Sequence, residues 1–348
     1  MSGGAGGRMP GEFEPHERTV IAWPTRHEAY VGPLMDEARN AHAELARSIA
    51  RFEPVTMIAA PADADDAVER CGGGVDVVAI PIDDSWFRDS GPIYVRDGHE
   101  RIALDFTFNS WGEKFAPWGD DDAVASRWAA HAGHPTRRLP FVFEGGSISV
   151  DGAGTGITTM QCLLHPNRNP TLTQREIEQR VCAALGLEVL LWLPYGLALD
   201  DDTDGHVDNV ACFAEPGVLV MQGCDDAREA DWLRMNVNRR VADGALDARG
   251  EPIRVVEVPV LPFVERDGVR APVPYLNYYV GNGFVVVPTV GHPADDDMIA
   301  IIAAQYPGRE TFGLEIGGIL AVGGGGIHCI TQQVPAAEEL AADQSSVG

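Results

Sequence analysis

Basic residues are scarce in this chain of 348 residues, and their scarcity argues against two classes of partner. Lysine and arginine together number 26 against 52 aspartates and glutamates, which gives a formal net charge of −26. Nucleic acids and anionic membranes are bound largely through clusters of Lys and Arg, so we predict neither as a partner. A negative surface is compatible with a cationic small-molecule substrate, although solubility alone accounts for most charge of this kind.

Cysteine pairs and long apolar runs are missing as well. None of the six cysteines forms a Cys-x-x-Cys pair, which argues against a zinc ribbon or a redox motif. So few cysteines do not build a disulfide scaffold, and they predict a reducing, cytoplasmic location. No window approaches the roughly 18 continuous apolar residues of a membrane-spanning helix, and the N-terminus carries no apolar signal core.

The chain does contain a repeated order of elements: strand, loop, amphipathic helix, strand. Five approximate copies of roughly 50 to 75 residues predict an α/β fold in which quasi-equivalent modules form a closed ring around one central site. A doubly wound open sheet is the alternative, but its phosphate-binding Gly-x-Gly-x-x-Gly is absent after the first strand. We expect a disordered Gly-rich leader over residues 1–8, one continuous domain over 9–335 and a flexible acidic tail over 336–348.

The stretch 323–333 (GGGGIHCITQQ) holds the candidate nucleophile. Four glycines let a ligand approach the backbone closely, and Cys329 lies directly beyond them. We predict a strand here, in which Cys329 and His328 point to opposite faces. The alternative is a small core cysteine after a Gly-rich loop.

Polar residues recur among apolar neighbours about once per predicted module. They lie in the stretches 83–92 (DDSWFRDSGP), 141–147 (FVFEGGS) and 200–209 (DDDTDGHVDN). On a strand, His206 and Asp208 of the third stretch would share one face.

Each of these residues has a second interpretation. Asp89 could form a buried structural ion pair with Arg88, and Glu144 could belong to a turn before two glycines. His206 and Asp208 could bind a metal, but no third ligand with suitable local spacing is visible, so we predict no metal and no cofactor.

A thiol, a histidine and three carboxylates in one pocket favour a planar, cationic electrophile, and a guanidinium fits. Carboxylates pair with it bidentately. Its delocalised carbon requires a strong nucleophile such as a thiolate, and the departing amine requires an acid. A cysteine protease would gain little from so many anions beside its thiolate.

Several motifs together resemble the agmatine deiminase/bacterial (Porphyromonas-type) peptidylarginine deiminase family of the pentein superfamily. The resemblance covers residues 9–335. Its motifs are 9–17 (MPGEFEPHE), 23–26 (WPTR), 86–92 (WFRDSGP), 108–112 (FNSWG), 144–147 (EGGS), 203–208 (TDGHVD) and 323–333. It implies the pentein fold, a five-bladed α/β propeller of ββαβ-type modules around a pseudo-fivefold axis.

The resemblance also implies a mechanism. Cys329 would attack the guanidinium carbon and form a covalent amidino intermediate. His206 would act as general acid for ammonia loss and then as general base for the hydrolytic water. No cofactor takes part.

The same resemblance assigns the binding residues. Asp89 and Asp208 would hold the guanidinium nitrogens, and Glu144 would support His206 and the substrate. Trp86 would form a wall of the pocket, with Trp111 and Gly326 as further substrate contacts.

The far end of the substrate is less defined, with agmatine, which ends in an ammonium, as the leading candidate. Acids at Asp83, Asp84 and 200–204 favour an ammonium, whereas Lys114 would favour the carboxylate of arginine. The stretch 26–30 (RHEAY) also lacks the second tryptophan that we associate with agmatine enzymes. Arginine, arginyl peptides or other guanidines stay open as substrates, as do an amidinotransferase, a non-catalytic guanidine-binding module and a homo-oligomeric assembly.

Overall fold

A computed structural model describes residues 7–266 and 268–337 of the chain. The strands are β1 His16–Ala22, β2 Val55–Ala59, β3 Asp76–Ala79, β4 Ile93–Asp97, β5 Glu100–Thr107, β6 Thr136–Val142, β7 Ser149–Val150, β8 Thr155–Thr159, β9 Val189–Leu193, β10 Ala211–Glu215, β11 Val218–Gln222, β12 Arg254–Val258, β13 Phe263–Arg266, β14 Val269–Pro272, β15 Tyr279–Gly281, β16 Phe284–Pro288, β17 Glu310–Leu314 and β18 Thr331–Pro335.

The helices are α1 Pro33–Ile49, α2 Ala64–Cys71, α3 Phe87–Ser90, α4 Ser110–Glu113, α5 Gly119–Ala132, α6 Met160–Leu163, α7 Gln174–Leu185, α8 Ala230–Asp243, α9 Asp295–Ala303, α10 Gly317–Val322 and α11 Ile327–Ile330. Two short 3₁₀ helices cover Gly145–Ser147 and Val207–Asn209.

One unit is repeated: two antiparallel strands, a helix, and a third strand parallel to the second. The strand orders are β4-β5-β6, β7-β8-β9, β10-β11-β12 and β15-β16-β17. In a further sheet, β18-β1-β2-β3, the last strand of the chain pairs antiparallel with the first. The two ends of the chain therefore complete one unit together. Within the described residues the sheets are separate, and none closes on itself.

Local sequence explains where the unit helices begin and end. The Thr173 hydroxyl accepts a hydrogen bond from the Glu176 amide, and the Glu176 carboxylate accepts one from the Thr173 amide, so α7 begins with a capping box. Gly133 and Gly186 end α5 and α7 in the left-handed conformation, which glycine adopts without strain.

The largest apolar cluster lies directly beneath the candidate nucleophile. It packs Leu45 and Ile49 of α1 with Phe284 of β16, and it extends to Trp86 and Cys329. Burying each large apolar side chain contributes about 1.5–3 kcal/mol, so this cluster gives the Cys329 segment a rigid support.

The predicted boundaries of the domain differ from the structure at both ends. Arg8 forms an antiparallel bridge with Arg96, so the ordered chain begins before Met9. At the other end the Ala336 amide donates to the Pro15 carbonyl. The rest of the predicted leader, 1–6, and of the predicted tail, 338–348, lies outside the described residues.

In the part of the chain that the structure describes, no helix is both long and apolar enough to span a bilayer.

Candidate active site

Cys329 lies in one helical turn, α11, and not in the strand that its β-branched neighbours predicted. The strand β18 begins only at Thr331. The side chain of Asn277 explains the turn, because its Oδ1 accepts the amide of His328 at 2.9 Å in place of a strand partner. Its Nδ2 lies 3.2 Å from Cys329 Sγ. Asn277 is a site residue that the sequence reasoning missed.

His206 and Asp208 also depart from the predicted strand. Val207–Asn209 forms a 3₁₀ helix with His206 at its N-terminal end, and β10 begins after it. The His206 amide donates to Asp200 Oδ2 (3.2 Å) and to Thr203 Oγ1 (3.1 Å), so the acidic loop before it fixes the turn. His206 and Asp208 consequently do not share a strand face.

Asp89 lies in α3 and is held by two neutral donors. Trp111 Nε1 donates to Asp89 Oδ2 (2.9 Å), and the Gly146 amide donates to Oδ1 (2.8 Å). Its predicted ion pair with Arg88 is not formed, since Arg88 instead bonds to Glu12 and Gln333. Burial raises the pKa of Asp89; among its charged neighbours His206 lowers it and Asp208 raises it, and the net pKa lies above the usual value.

Glu144 is fully buried and bonded to Arg168, a second residue that the sequence reasoning missed. Arg168 Nε lies 2.6 Å from Glu144 Oε1. The same guanidinium donates to Asp204 Oδ2 (2.6 Å) and to the Thr203 carbonyl (2.8 Å). Burial alone would raise the pKa of Glu144, but Arg168 and His206 bring it below the usual value.

The His206 ring is enclosed by carboxylates at distances longer than hydrogen bonds. Nδ1 lies 3.7 Å from Asp89 Oδ2, and Nε2 lies 3.9 Å from Glu144 Oε2. Burial would lower the pKa of His206, yet Asp89, Cys162 and Glu144 raise it well above the usual value. A raised pKa favours the protonated imidazole, which is the form that can act as an acid.

Gly146 marks the point at which these side chains converge. A Cβ placed on it would lie 2.5 Å from His206 Nδ1, 2.9 Å from Asp89 Oδ1 and 3.0 Å from Asp208 Oδ2. Real Cβ atoms do not come so close, so only glycine fits between the histidine and the two carboxylates.

The Cys329 thiol is buried beside two anions. Sγ lies 3.5 Å from Asp208 Oδ2. Burial, Asp208 and Asp89 raise the pKa of this thiol well above its usual value, against smaller opposing contributions from the Gly326 backbone and Asn277. A cation bound between the carboxylates would favour the thiolate.

Glu144, Cys162 and His206 form the group of potential metal ligands found within the described residues. Their ligand atoms lie within 4.8 Å of one another. This group differs from the His206–Asp208 pair considered from the sequence. It does not suit a metal well, because Glu144 is already paired with the positive charge of Arg168.

A cavity of about 380 Å³ opens at Cys329. Trp86, Asp89 and Trp111 line its inner end. Its glycine wall is Gly323 and Gly324, whereas the predicted contact Gly326 packs against Asn277. Glu144, His206 and Asp208 are buried, and none of them is among the residues that line the cavity.

Both cations at the mouth of the cavity are paired. Arg26 Nε lies 2.7 Å from Asp84 Oδ2. Lys114, the chain's only lysine, lies 2.8 Å from Asp204 Oδ1 and also donates to the carbonyls of residues 201 and 202. The mouth also presents two carboxylates, Glu28 and Asp202, for which the described residues show no side-chain hydrogen bond or ion pair.

Trp111 is held by an unusual backbone. Ser110, Trp111 and Glu113 all have φ between 52 and 64°, in the left-handed region. Non-glycine residues there cost about 1–3 kcal/mol each and persist where the surroundings fix them, often at functional sites.

Five polar residues of the site each lie just before the first strand of a unit. Asp89 precedes β4, Glu144 precedes β7, Asp208 precedes β10, Asn277 precedes β15 and Cys329 precedes β18. The repeat therefore supplies one polar group per unit to a common site.

Known proteins are similar to this chain in both sequence and fold. Residues 8–335 match the family model of the Porphyromonas-type peptidyl-arginine deiminases. The agmatine deiminase of Pseudomonas aeruginosa is 39% identical over 95% of this chain and 96% of its own. That of Medicago truncatula is 36% identical over 95% and 97%.

A solved structure of the agmatine deiminase of Enterococcus faecalis superposes with a TM-score of 0.92, at 31% identity, over 97% of this chain and 99% of that chain. The mixed α/β fold is thus that of the pentein superfamily. The family model, the full-length relatives and the shared fold agree, and the chain belongs to the Porphyromonas-type peptidyl-arginine deiminase family.

Proposed function

We propose that this protein is a guanidine deiminase that hydrolyses agmatine to N-carbamoylputrescine and ammonia, a step toward putrescine. The observation that carries this proposal is the inner end of the cavity, where a thiol lies 3.5 Å from Asp208 and shares the opening with Asp89. A guanidinium is the planar cation that two such carboxylates hold in front of a nucleophile.

In the proposed first half-reaction, the Cys329 thiolate forms a bond to the guanidinium carbon. His206 gives its proton to one amino nitrogen, the C–N bond breaks and ammonia leaves. The amidino group stays on sulfur as a thiouronium.

In the second half-reaction, His206 takes a proton from water, whose oxygen attacks the thiouronium carbon. The C–S bond then breaks and releases the ureido product. Glu144 keeps His206 charged in the first half and, fixed by Arg168, holds the ring in place.

The charge at the mouth supports a substrate with an ammonium at its far end. A carboxylate, as in arginine, would require an unpaired cation, but Arg26 and Lys114 are bonded to Asp84 and Asp204. Glu28 and Asp202 remain to attract a cation. The relatives named above as agmatine deiminases support the same substrate.

We further propose that the five units surround one pseudo-fivefold axis as a propeller. The equivalent positions of Asp89, Glu144, Asp208, Asn277 and Cys329 support this arrangement, since they meet at one site from five units. The six free cysteines support a reducing, cytoplasmic location.

The test is ammonia release from a panel of agmatine, arginine, an arginyl peptide and methylguanidine, with Cys329→Ser beside the wild type. We expect turnover of agmatine with the highest kcat/KM and no turnover by Cys329→Ser. Absence of ammonia from every compound would reject the deiminase, and a fully active Cys329→Ser would reject the mechanism.

Two alternatives are separated in the same assay. With an added primary amine, an amidinotransferase would form a new guanidine instead of a ureido product. A binding module would show equal agmatine affinity by calorimetry in wild type and Cys329→Ser, without turnover in either.

A further inference from the structure

His328, the neighbour of the nucleophile, has no part in the proposed chemistry, yet it lies at the centre of a buried network. Its ring is 7% exposed. Nδ1 lies 2.9 Å from Asp208 Oδ2, and Nε2 lies 2.9 and 3.0 Å from the two carboxylate oxygens of Glu12. An ionised carboxylate only accepts hydrogen bonds, so both ring nitrogens donate and His328 is an imidazolium.

Asp208 is held differently on its two oxygens. Oδ2 accepts from His328 and faces the Cys329 thiol at 3.5 Å. Oδ1 is buried and has no hydrogen-bond partner among residues 7–266 and 268–337. A buried oxygen without a partner is expected where a ligand supplies the donor.

We propose that His328 is a positioning residue for Asp208: Glu12 anchors its Nε2, and its Nδ1 holds one oxygen of Asp208 so that the other is presented to the guanidinium. This inference rests on the proposed function, because it concerns the orientation of a carboxylate that binds the substrate. His328 itself does not touch the reacting atoms.

The anchor is itself fixed from several elements. Glu12, from the segment before β1, lies 3.3 Å from Arg88 Nη1 of α3. Arg88 Nη1 also bonds to Gln333 of β18 (2.8 Å), and Arg88 Nε bonds to the His328 carbonyl (3.3 Å). A rotation of the imidazolium would therefore break its bonds to Asp208 and to a Glu12 side chain that is itself fixed.

The ionisation of the three groups agrees with this geometry. Burial alone would raise the pKa of Glu12, but His328 and Arg88 lower it to about 2. Burial and Arg88 would lower the pKa of His328, but Glu12 and Asp208 bring it above the usual value. Burial would raise the pKa of Asp208, and its bond to His328 brings it below the usual value.

If His328 only ties residues 9–15 to the core, its substitution should affect activity only through stability. Two substitutions separate this structural role from the positioning of Asp208. His328→Asn retains an amide nitrogen near the position of Nδ1, which still donates to Asp208. His328→Gln places its amide nitrogen near the position of Nε2, which donates to Glu12 and leaves Asp208 without its partner. Both remove the charge.

The first measurement is steady-state turnover of agmatine, with the thermal midpoint of each variant. We expect His328→Gln to raise KM about tenfold or more and His328→Asn to stay within about threefold of the wild type, whatever the order of their thermal midpoints. Equal KM values in the two variants, or KM changes that follow the loss of stability, would overturn the proposal.

The second measurement does not depend on turnover. Chloroacetamidine is a cationic alkylating reagent whose amidinium, on this proposal, pairs with Asp89 and Asp208, whereas iodoacetamide is neutral and similar in size. We expect the ratio of their alkylation rates at Cys329, read from the mass of its peptide, to fall about tenfold in His328→Gln and to be kept in His328→Asn.

The two measurements keep the failures apart. If the wild type releases no ammonia from any guanidine, the proposed function is rejected, while the alkylation ratio still decides the role of His328. If neither His328 variant folds, Glu12→Leu decides: it removes the acceptor that anchors Nε2 of His328. We then expect a lower alkylation ratio, and an unchanged ratio would overturn the proposal.

Discussion

The two ends of the cavity differ in how their charged side chains are paired. At the inner end, Asp89 is bonded to neutral donors, and Asp208, buried beside Cys329, has one oxygen without a hydrogen-bond partner among the described residues, so negative charge is left for a ligand. At the mouth, Arg26 and Lys114 are each bonded to a carboxylate, so positive charge is cancelled. The inner end therefore offers a cation carboxylates in fixed positions. The mouth disfavours a substrate with a carboxylate at its far end, because Arg26 and Lys114 are already paired.

The inner end should be the more sensitive to change. We expect Asp89→Asn to lower kcat/KM for agmatine about 10³-fold, because loss of one partner of a buried charge pair costs about 3–5 kcal/mol and 1.4 kcal/mol is a factor of ten. Kinetics beside a thermal melt test this prediction. The raised pKa of Asp89 means that its charge is not stabilising, so the melting temperature should not fall. Loss of folding in place of activity would indicate a structural role.

The second prediction concerns the support behind the inner end. Arg168→Met leaves Glu144 as an uncompensated buried charge, so we expect the free energy of unfolding to fall by about 3–5 kcal/mol and kcat/KM to fall about 10²-fold. Denaturant unfolding and agmatine kinetics measure the two.

The matched control for Arg168→Met is the double variant with Glu144→Gln. It removes the stranded charge and should regain most of the stability while activity stays low. A double variant no more stable than Arg168→Met would contradict this account of the pair.

The residues of the site differ in how readily they could be predicted from the sequence. Asp89, Glu144 and His206 could be predicted because polar residues in apolar surroundings are visible in a sequence. Asn277 carries the same signal within 275–279 (YLNYY), and a prediction of one polar group per unit should have led to it. Arg168 lies between prolines in 166–170 (PNRNP), a weaker signal.

Other features of the site depend on partners distant in sequence. The β-branched neighbours of Cys329 favour a strand, but the Asn277 side chain accepts the His328 amide and fixes a helical turn. The pairing of Lys114 with Asp204 likewise joins α4 to a remote loop, so the sequence could show a cation but not its neutralisation.

The third prediction tests the mouth. We expect Lys114→Met to change the KM for agmatine by less than about fivefold, because a partly exposed ion pair contributes about 0.2–1 kcal/mol and Arg168 still holds Asp204. Arg228→Met, which breaks a pair on the open surface, is the matched control and should have no effect. If Lys114→Met abolished turnover of agmatine, the mouth would be as sensitive to substitution as the inner end, which would contradict the distinction between them.

The smallest expected effect is a dependence of KM on pH at the mouth. Burial raises the pKa of Asp84 to about 6 despite its bond to Arg26, and Asp83 makes a smaller contribution in the same direction. A carboxyl with a raised pKa is ionised above pH 6 and neutral below it, so acidification leaves Arg26 without its counter-charge.

Agmatine keeps both positive charges over this range, so its far ammonium would meet an Arg26 charge that Asp84 no longer balances. The KM for agmatine should therefore rise about threefold as pH falls from 7 to 5, while methylguanidine, which does not reach the mouth, should be unaffected. In Asp84→Asn the KM for agmatine should be high at both pH values. An equal rise for both substrates would assign the titration to the inner end and remove the distinction between the two ends.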